Sequence, residues 1–246
     1  MKKLYFLILL CSVLIANAQK EKKYILRTDF GYSYSHKDML DAGSNNFGDN
    51  YFGEINSAFT TSIGAGRKLK SNFYYGLGVI YHSSKHEINP DADIPDFSGS
   101  PGYIQMQSYV HSLSTDKVIS PYLFFQYFYD FTDWFSIAFD LYSKYDFYQN
   151  KTNAIFYMPF NSNGDFSYVK YSENNTETKK QILNIGLRPS LRFKLYKNFG
   201  LNFAFGILEY SLKINDSRDD ELEKKTNAFK IGFSPNNWLL GIYLKL

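Results

Sequence analysis

The sequence predicts an all-β chain: a closed, antiparallel, up-and-down transmembrane β-barrel of eight strands, with ten as the alternative count, long external loops and short periplasmic turns. Three observations lead there. Aromatics make up 19% of the 246 residues (22 Tyr, 23 Phe, 2 Trp), yet the mean hydropathy is −0.34. Beyond the first eighteen residues the apolar side chains alternate with polar ones instead of clustering. The connections between the alternating segments are long and short by turns. Many rings with a polar average exclude a disordered chain, which lacks aromatics. They also exclude a helical membrane protein, which needs apolar runs of about 20 residues. Ala, Glu, Lys, Leu and Arg do not dominate, so a coiled coil is excluded as well.

The one long apolar run opens the chain as MKKLYFLILLCSVLIANA. Lys2 and Lys3 form a positive start, Leu4 to Ile15 a short apolar centre, and Ala16-Asn17-Ala18 the small residues that a signal peptidase inspects. Residues 1–18 are expected to be a cleaved export signal and residues 19–246 the barrel domain. Cleavage removes Cys11, the single cysteine, so neither a disulfide nor a thiolate metal site is expected. It leaves 25 basic side chains against 24 acidic ones, a balance that calls for no nucleic-acid partner.

Residues 24–35 set the strand pattern. Tyr24, Leu26, Thr28, Phe30, Tyr32 and Tyr34 share one face, and Ile25, Arg27, Asp29, Gly31, Ser33 and Ser35 share the other. The second and third segments, 55–68 and 73–85, set Phe59, Ile63, Tyr75, Leu77 and Val79 against Gly64, Gly66, Gly76 and Gly78. In the fourth, 118–131, Leu123, Phe125, Tyr127 and Tyr129 share a face, but Phe124 and Phe128 stand opposite and blur its polarity. The fifth, 134–149, sets Phe139 and Leu141 against Asp140 and Lys144; the sixth, 180–195, sets Leu187 and Leu191 against Arg188 and Arg192. The seventh, 199–213, opposes Leu201 and Phe203 to Gly200 and Asn202. In the eighth, 228–246, Phe229 and Ile231 are out of phase with Leu240 and Ile242, which a bulge near Ser234-Pro235-Asn236-Asn237 repairs.

The intervening segments have 19, 4, 32, 2, 30, 3 and 14 residues, an asymmetry expected when short turns line one rim and long loops the other. Residues 155–160 and 165–171, flanking Asn161-Ser162-Asn163-Gly164, read as an extension of the fifth and sixth strands.

Volume decides which face looks out. The interior of an eight-stranded barrel is just wide enough for side chains to fill, so the ring-rich face belongs outside, toward lipid. The Gly, Ser and Asn face then lines the interior. Arg27, Asp29, Asp140, Lys144, Arg188 and Arg192 become buried charges that need pairing with one another. Tyr24, Tyr32, Tyr34, Tyr81 and Tyr129, near the strand ends, fit aromatic girdles at the membrane surfaces.

The Ala16-Asn17-Ala18-Gln19 junction, ISPYLFFQYFYDF before a tight turn, NIGLRPSLRFKL and the C-terminal LGIYLKL resemble the small OmpA/OmpX-type outer membrane protein β-barrel domain family. The resemblance covers the mature chain, although Leu246 is not aromatic and Leu240 stands where a polar residue is usual. It implies a bacterial outer-membrane location, with outer-membrane lipid, periplasmic chaperones and the barrel-assembly machinery as partners. Loops on a rigid scaffold are where binding usually resides, so an extracellular ligand of unknown identity is expected for them. Ending at the last strand, the chain is expected to carry no peptidoglycan-binding domain.

The four histidines are His36, His82, His86 and His111. His82 and Ser84 in YHSSKHE resemble the His-x-Ser of outer-membrane lipid A deacylases, in which His activates a Ser nucleophile. Lys85-His86 replaces that family's following Asn-Ala, and His82 shares the parity of Gly76 and Gly78, which turns it inward, away from lipid. Asp91, Asp93 and Asp96 lack the glycine and closing glutamate of a calcium loop. The run Asp216, Asp219, Asp220, Glu221 and Glu223 reads as a solvated loop tip. The expectation is a non-enzymatic barrel of structural or surface-interaction type, without cofactor or metal. A lipid-modifying enzyme and a narrow channel are its alternatives.

Overall fold

The computed structural model describes residues 23–39, 52–88, 109–162, 165–216 and 227–246. The expected export signal, the Asp91–Asp93–Asp96 group and the acidic stretch beyond Asp216 lie outside these residues. Six unbroken strands follow one another: β1 (Tyr24–Met39), β2 (Phe52–Lys70), β3 (Phe73–Ile88), β4 (Tyr109–Asp130), β5 (Phe135–Ser162) and β6 (Asp165–Lys194). The seventh is made of β7 (Phe199–Ala204) and β8 (Ile207–Asp216) laid end to end. The eighth is made of β9 (Ala228–Gly232) and β10 (Leu239–Lys245). Chain neighbours pair antiparallel throughout, and β10 pairs β1 from Ile25↔Lys245 to Phe30↔Leu240, so the ring closes. Closure is obligatory in lipid, where an open edge leaves backbone groups without partners.

The count is eight. Residues 155–171 form no additional pair of strands: β5 and β6 stay in one ladder from Phe135↔Phe193 to Ser162↔Asp165, with one register shift at Phe156/Tyr157. Much of what reads as the 86–117 and 150–179 loops is therefore strand, because a hairpin alternates in water as it does in a barrel wall.

The expected bulge sits where the phase changes. Between Ala204↔Leu239 and Ile207↔Gly232, the seventh strand has two residues against six in the eighth. The surplus winds into a 3-10 turn, Pro235–Asn237, closed by Asn237 N–H to Ser234 O (2.9 Å) and Trp238 N–H to Pro235 O (3.0 Å). Proline suits this place because it donates nothing to a ladder. The turn packs against β1 at Gly31, where a Cβ would lie 2.5 Å from Leu239 Cδ2.

The sheet is inverted relative to a soluble protein. Ile63, Leu77, Leu123, Phe125, Leu141, Ile231 and Leu240 point outward, each more than half exposed. Arg27, Asp29, Gln126, Asp140 and Arg192 are at most 3% exposed inside. Tyr24, Tyr32, Tyr34 and Tyr129 are exposed as a girdle requires; Tyr81 is partly buried, and β3 continues seven residues past it.

Candidate functional site

The lower interior is filled in one connected layer. β1 supplies Arg27 and Asp29, β4 Tyr122, Phe124, Gln126 and Phe128, β5 Asp140, β6 Arg192, β7 Asn202 and β10 Tyr243. The Arg27 guanidinium pairs with Asp140, hydrogen-bonds the Tyr122 hydroxyl (3.3 Å) and lies 4.1 Å over the Phe124 ring. Gln126 donates to the other Asp140 oxygen. Asp29 accepts from Ser62 Oγ (2.9 Å) and Asn202 Nδ2 (3.0 Å), and Asn202 Oδ1 accepts from Arg192 Nε (3.0 Å). Arg192 then lies over Phe128 (4.1 Å) and Tyr243 (4.7 Å).

This corrects the expected pattern of charges in part. Arg27 and Asp140 do pair with each other. Asp29 is held by neutral donors, and Arg192 by an amide and two ring faces, a cation–π setting that is strongest where water is excluded. Phe124 and Phe128, the residues that blurred the fourth strand, are the rings beneath the two arginines. Phe124 fits because β2 and β3 face it with glycine: a Cβ on Gly66 would lie 2.9 Å from Phe124 Cζ, and one on Gly76 2.6 Å; Phe128 packs edge-on against Tyr74, ring centroids 5.3 Å apart.

Above this layer, Lys144 reaches Asp146 (3.3 Å) and Glu209 (3.2 Å), Tyr142 donates to Glu209 (2.7 Å), and Arg188 lies 5.3 Å over the Tyr142 ring. Asn184 joins Asp146 (2.7 Å) to Ser211 (2.6 Å). Asn184 and Asn202 have the inward parity expected of them, and Asp146 shares it. Glu209 has the outward parity of Leu201 and Phe203 and turns inward because the phase shifts between β7 and β8.

At the mouth, His82 Nδ1 is 2.8 Å from Thr60 Oγ1, while Ser84 donates to Asp116 Oδ2 (3.0 Å). Asp116 also accepts from Tyr148 and from Asn150 (2.7 Å). A nucleophile needs its base within about 2.6–3.2 Å; here no hydrogen bond joins His82 to Ser84, whose proton is directed to a carboxylate. His86 contacts Asn56 and lies 3.5 Å from Glu54. Among the described residues, no three His, Cys, Asp or Glu converge on a metal position.

A closed eight-stranded sheet, apolar toward its surroundings and filled within by rings and buried polar groups, is an integral β-barrel of the outer-membrane kind, with the architecture of the small OmpA/OmpX type. Solved structures similar to the chain include Neisserial surface protein A, at 8% identity over 92% of this chain and 98% of that one, TM-score 0.33. Another is Ail, the attachment invasion locus protein of Yersinia pestis, in complex with the heparin analogue sucrose octasulfate (13% identity, 90% and 98% covered, TM-score 0.31). The translocator domain of the autotransporter NalP from Neisseria meningitidis is a third (8% identity, 96% and 93% covered, TM-score 0.25). These likenesses are distant, and the assignment stands on the sheet's own closure and outward apolar face. No family model and no curated protein matches the chain.

Proposed function

We propose that the barrel is a non-enzymatic surface protein that binds a partner outside the cell through its projecting strands and loops. The observation that supports this is the contrast between a filled interior and an overbuilt outer wall. Phe147 and Gln181 pair at the upper edge of the outward apolar band. From there β5 continues fifteen residues to Ser162, about 50 Å of strand at the usual rise. Cross-strand ties stiffen this hairpin: Gln149 to Glu177 (2.7 Å), Asn153 to Glu173 (3.0 Å) and Lys151 to Glu177 (3.6 Å). The hydrogen bond from Lys170 holds Glu173 below its ordinary pKa, and that from Gln149 does the same for Glu177. Both carboxylates are therefore charged above the usual glutamate range, and their ties weaken only as the pH falls below it. A stiff scaffold that presents polar side chains is where binding resides.

Replacing residues 153–175 by Asn-Gly, joined at the Thr152↔Thr176 pair, tests the reading. The shortened barrel is expected to keep heat-modifiable gel mobility. Bacteria displaying it should lose adhesion to surfaces coated with matrix protein or sulfated polysaccharide. Adhesion equal to that of the full-length barrel would overturn the proposal.

The filled layer leads to a second expectation: planar-bilayer recordings show no conductance steps above background. Mass spectra of lipid A from cells with and without the gene should also coincide. A changed acylation pattern, abolished by His82→Ala, would restore the enzyme.

A further inference from the structure

The lower rim, where the short turns lie, is basic over most of its circumference. Backbone bonds between neighbouring segments make the basic arc continuous: Lys245 N–H to Asn198 O (2.7 Å), Tyr24 N–H to Leu246 O (2.9 Å) and Lys68 N–H to Lys23 O (2.6 Å). Lys194 and Lys197 enter it from the end of β6, Lys245 from β10, Lys23 from the approach to β1, and Arg67, Lys68 and Lys70 from the end of β2. The acidic side chains of this rim among the described residues, Asp130 and Asp133, stand together on the remaining arc, at the β4–β5 turn. Lys245 lies over Phe128 (4.9 Å) and Tyr243 (5.9 Å), and Lys23 and Lys197 have contacts of their own. Arg67, Lys68, Lys70 and Lys194 are exposed, and none of these four has an ion-pair partner among the described residues.

Parity sets the direction in which the arc faces. Lys23, Lys68, Lys194 and Lys245 each stand two residues from an inward position: Ile25, Gly66, Arg192 and Tyr243. They therefore crown the mouth of the lumen, whereas Arg67 shares the lipid-facing parity of Ile63. Lipid headgroups surround the wall and do not lie beneath the mouth, so the crown matches a group that approaches along the barrel axis from the periplasm. Ile25, Tyr74, Phe128 and Tyr243 close the lumen behind it, so such a group is held at the mouth. Cations of one sign around a low-dielectric wall focus their field there. From β6 to β2 the arc crosses four interstrand spacings, about 20 Å, the length of about six residues of extended chain.

We propose that the lower mouth is a docking site for an acidic peptide segment of a periplasmic protein, its carboxylates on Lys68 and Lys194 and across the lysines between them. An extended chain with several carboxylates spans the whole arc as one ligand, whereas a small anion meets one or two of its cations. The contact lies at the opposite end from the hairpin and is independent of what the hairpin binds. It gives the barrel a partner on each side of the membrane.

The test uses the mature barrel in nanodiscs of phosphatidylethanolamine, titrated with fluorescein-labelled octaglutamate and read by anisotropy. Octaglutamate should bind, more weakly as salt is raised, and octalysine should not. Lys68→Gln/Lys194→Gln is expected to weaken binding about tenfold, the contribution of two exposed ion pairs. Lys117→Gln/Lys151→Gln, which removes the same charge from the hairpin end, should leave it unchanged. Equal affinity of the two double variants overturns the proposal, because the peptide would then read net charge alone. So does displacement by inorganic phosphate at matched charge, which would make this a small-anion site, or by soluble cell-wall fragments in preference to octaglutamate. In cells, Lys70→Cys should resist a membrane-impermeant maleimide until the outer membrane is permeabilised; the single native cysteine, Cys11, lies in the expected export signal. Labelling on intact cells would put the mouth outside and overturn the proposal as well.

Discussion

Asp140→Ala is expected to cost roughly 3–5 kcal/mol of folding stability in lipid vesicles, read by urea titration of tryptophan emission. Asp140 is 3% exposed, forms the ion pair with Arg27 and accepts from Gln126. Its removal leaves a guanidinium buried among Tyr122 and Phe124, and the penalty is that of an uncompensated charge in a space that excludes water. Arg27→Met combined with Asp140→Leu should recover most of the loss, because apolar side chains of similar volume replace buried ion pairs at little or no cost. A single-variant loss below about 1 kcal/mol would mean that water reaches Arg27. The barrel would then be a wet tube and not a filled one. Silence in planar bilayers and a large Asp140 penalty therefore stand or fall together, although one is electrical and the other thermodynamic.

The outward face was legible because it is a one-strand property: period-two alternation placed Leu77, Leu123 and Leu240 toward lipid without any knowledge of neighbours. The Ser234–Asn237 bulge was legible for the same reason, since the phase change between Ile231 and Leu240 occurs within one segment. The interior was not, because its logic crosses the barrel. Phe124 looks misplaced on β4 until β2 and β3 bring Gly66 and Gly76 against it and Arg27 arrives from β1. Asp29 and Arg192 looked like halves of ion pairs, yet Asn202, far along the chain, lies between them and bonds to both. His82 and Ser84 illustrate the limit at a candidate site. Spacing placed them on one face, and that is correct, but Thr60 on β2 and Asp116 on β4 decide where each side chain bonds. The same distinction separates loop from strand: alternation in 150–179 continues beyond the membrane because the β5–β6 ladder does, and only the polar interval of residues 149–153 against 173–180 marks the surface.

Two glycines that look alike in the sequence are expected to behave differently, and the difference tests how the interior is filled. A Cβ on Gly64 would lie 2.6 Å from the Tyr122 hydroxyl, with Arg27 Nε and Leu77 O at an unstrained 3.5 Å. The obstruction is the tip of one side chain. Gly64→Ala should cost about 1–3 kcal/mol as an overpacked site. Adding Tyr122→Phe should recover part of that loss by removing the hydroxyl, at the expense of its hydrogen bonds with Arg27. A Cβ on Gly76 would instead fall against Ala65 O, 2.5 Å from Gly66 Cα and 2.6 Å from Phe124 Cζ. The first two are backbone atoms of the paired strand, which cannot yield without breaking the β2–β3 ladder. Gly76→Ala is therefore expected to cost about 3 kcal/mol or more, and Phe124→Leu should not rescue it. Heat-modifiable mobility after refolding into vesicles reads both series. Rescue of Gly76→Ala by trimming Phe124 would show that the ring, and not the neighbouring backbone, demands glycine there. The close approach of β2 and β3 would then be a consequence of how the interior is packed instead of its cause.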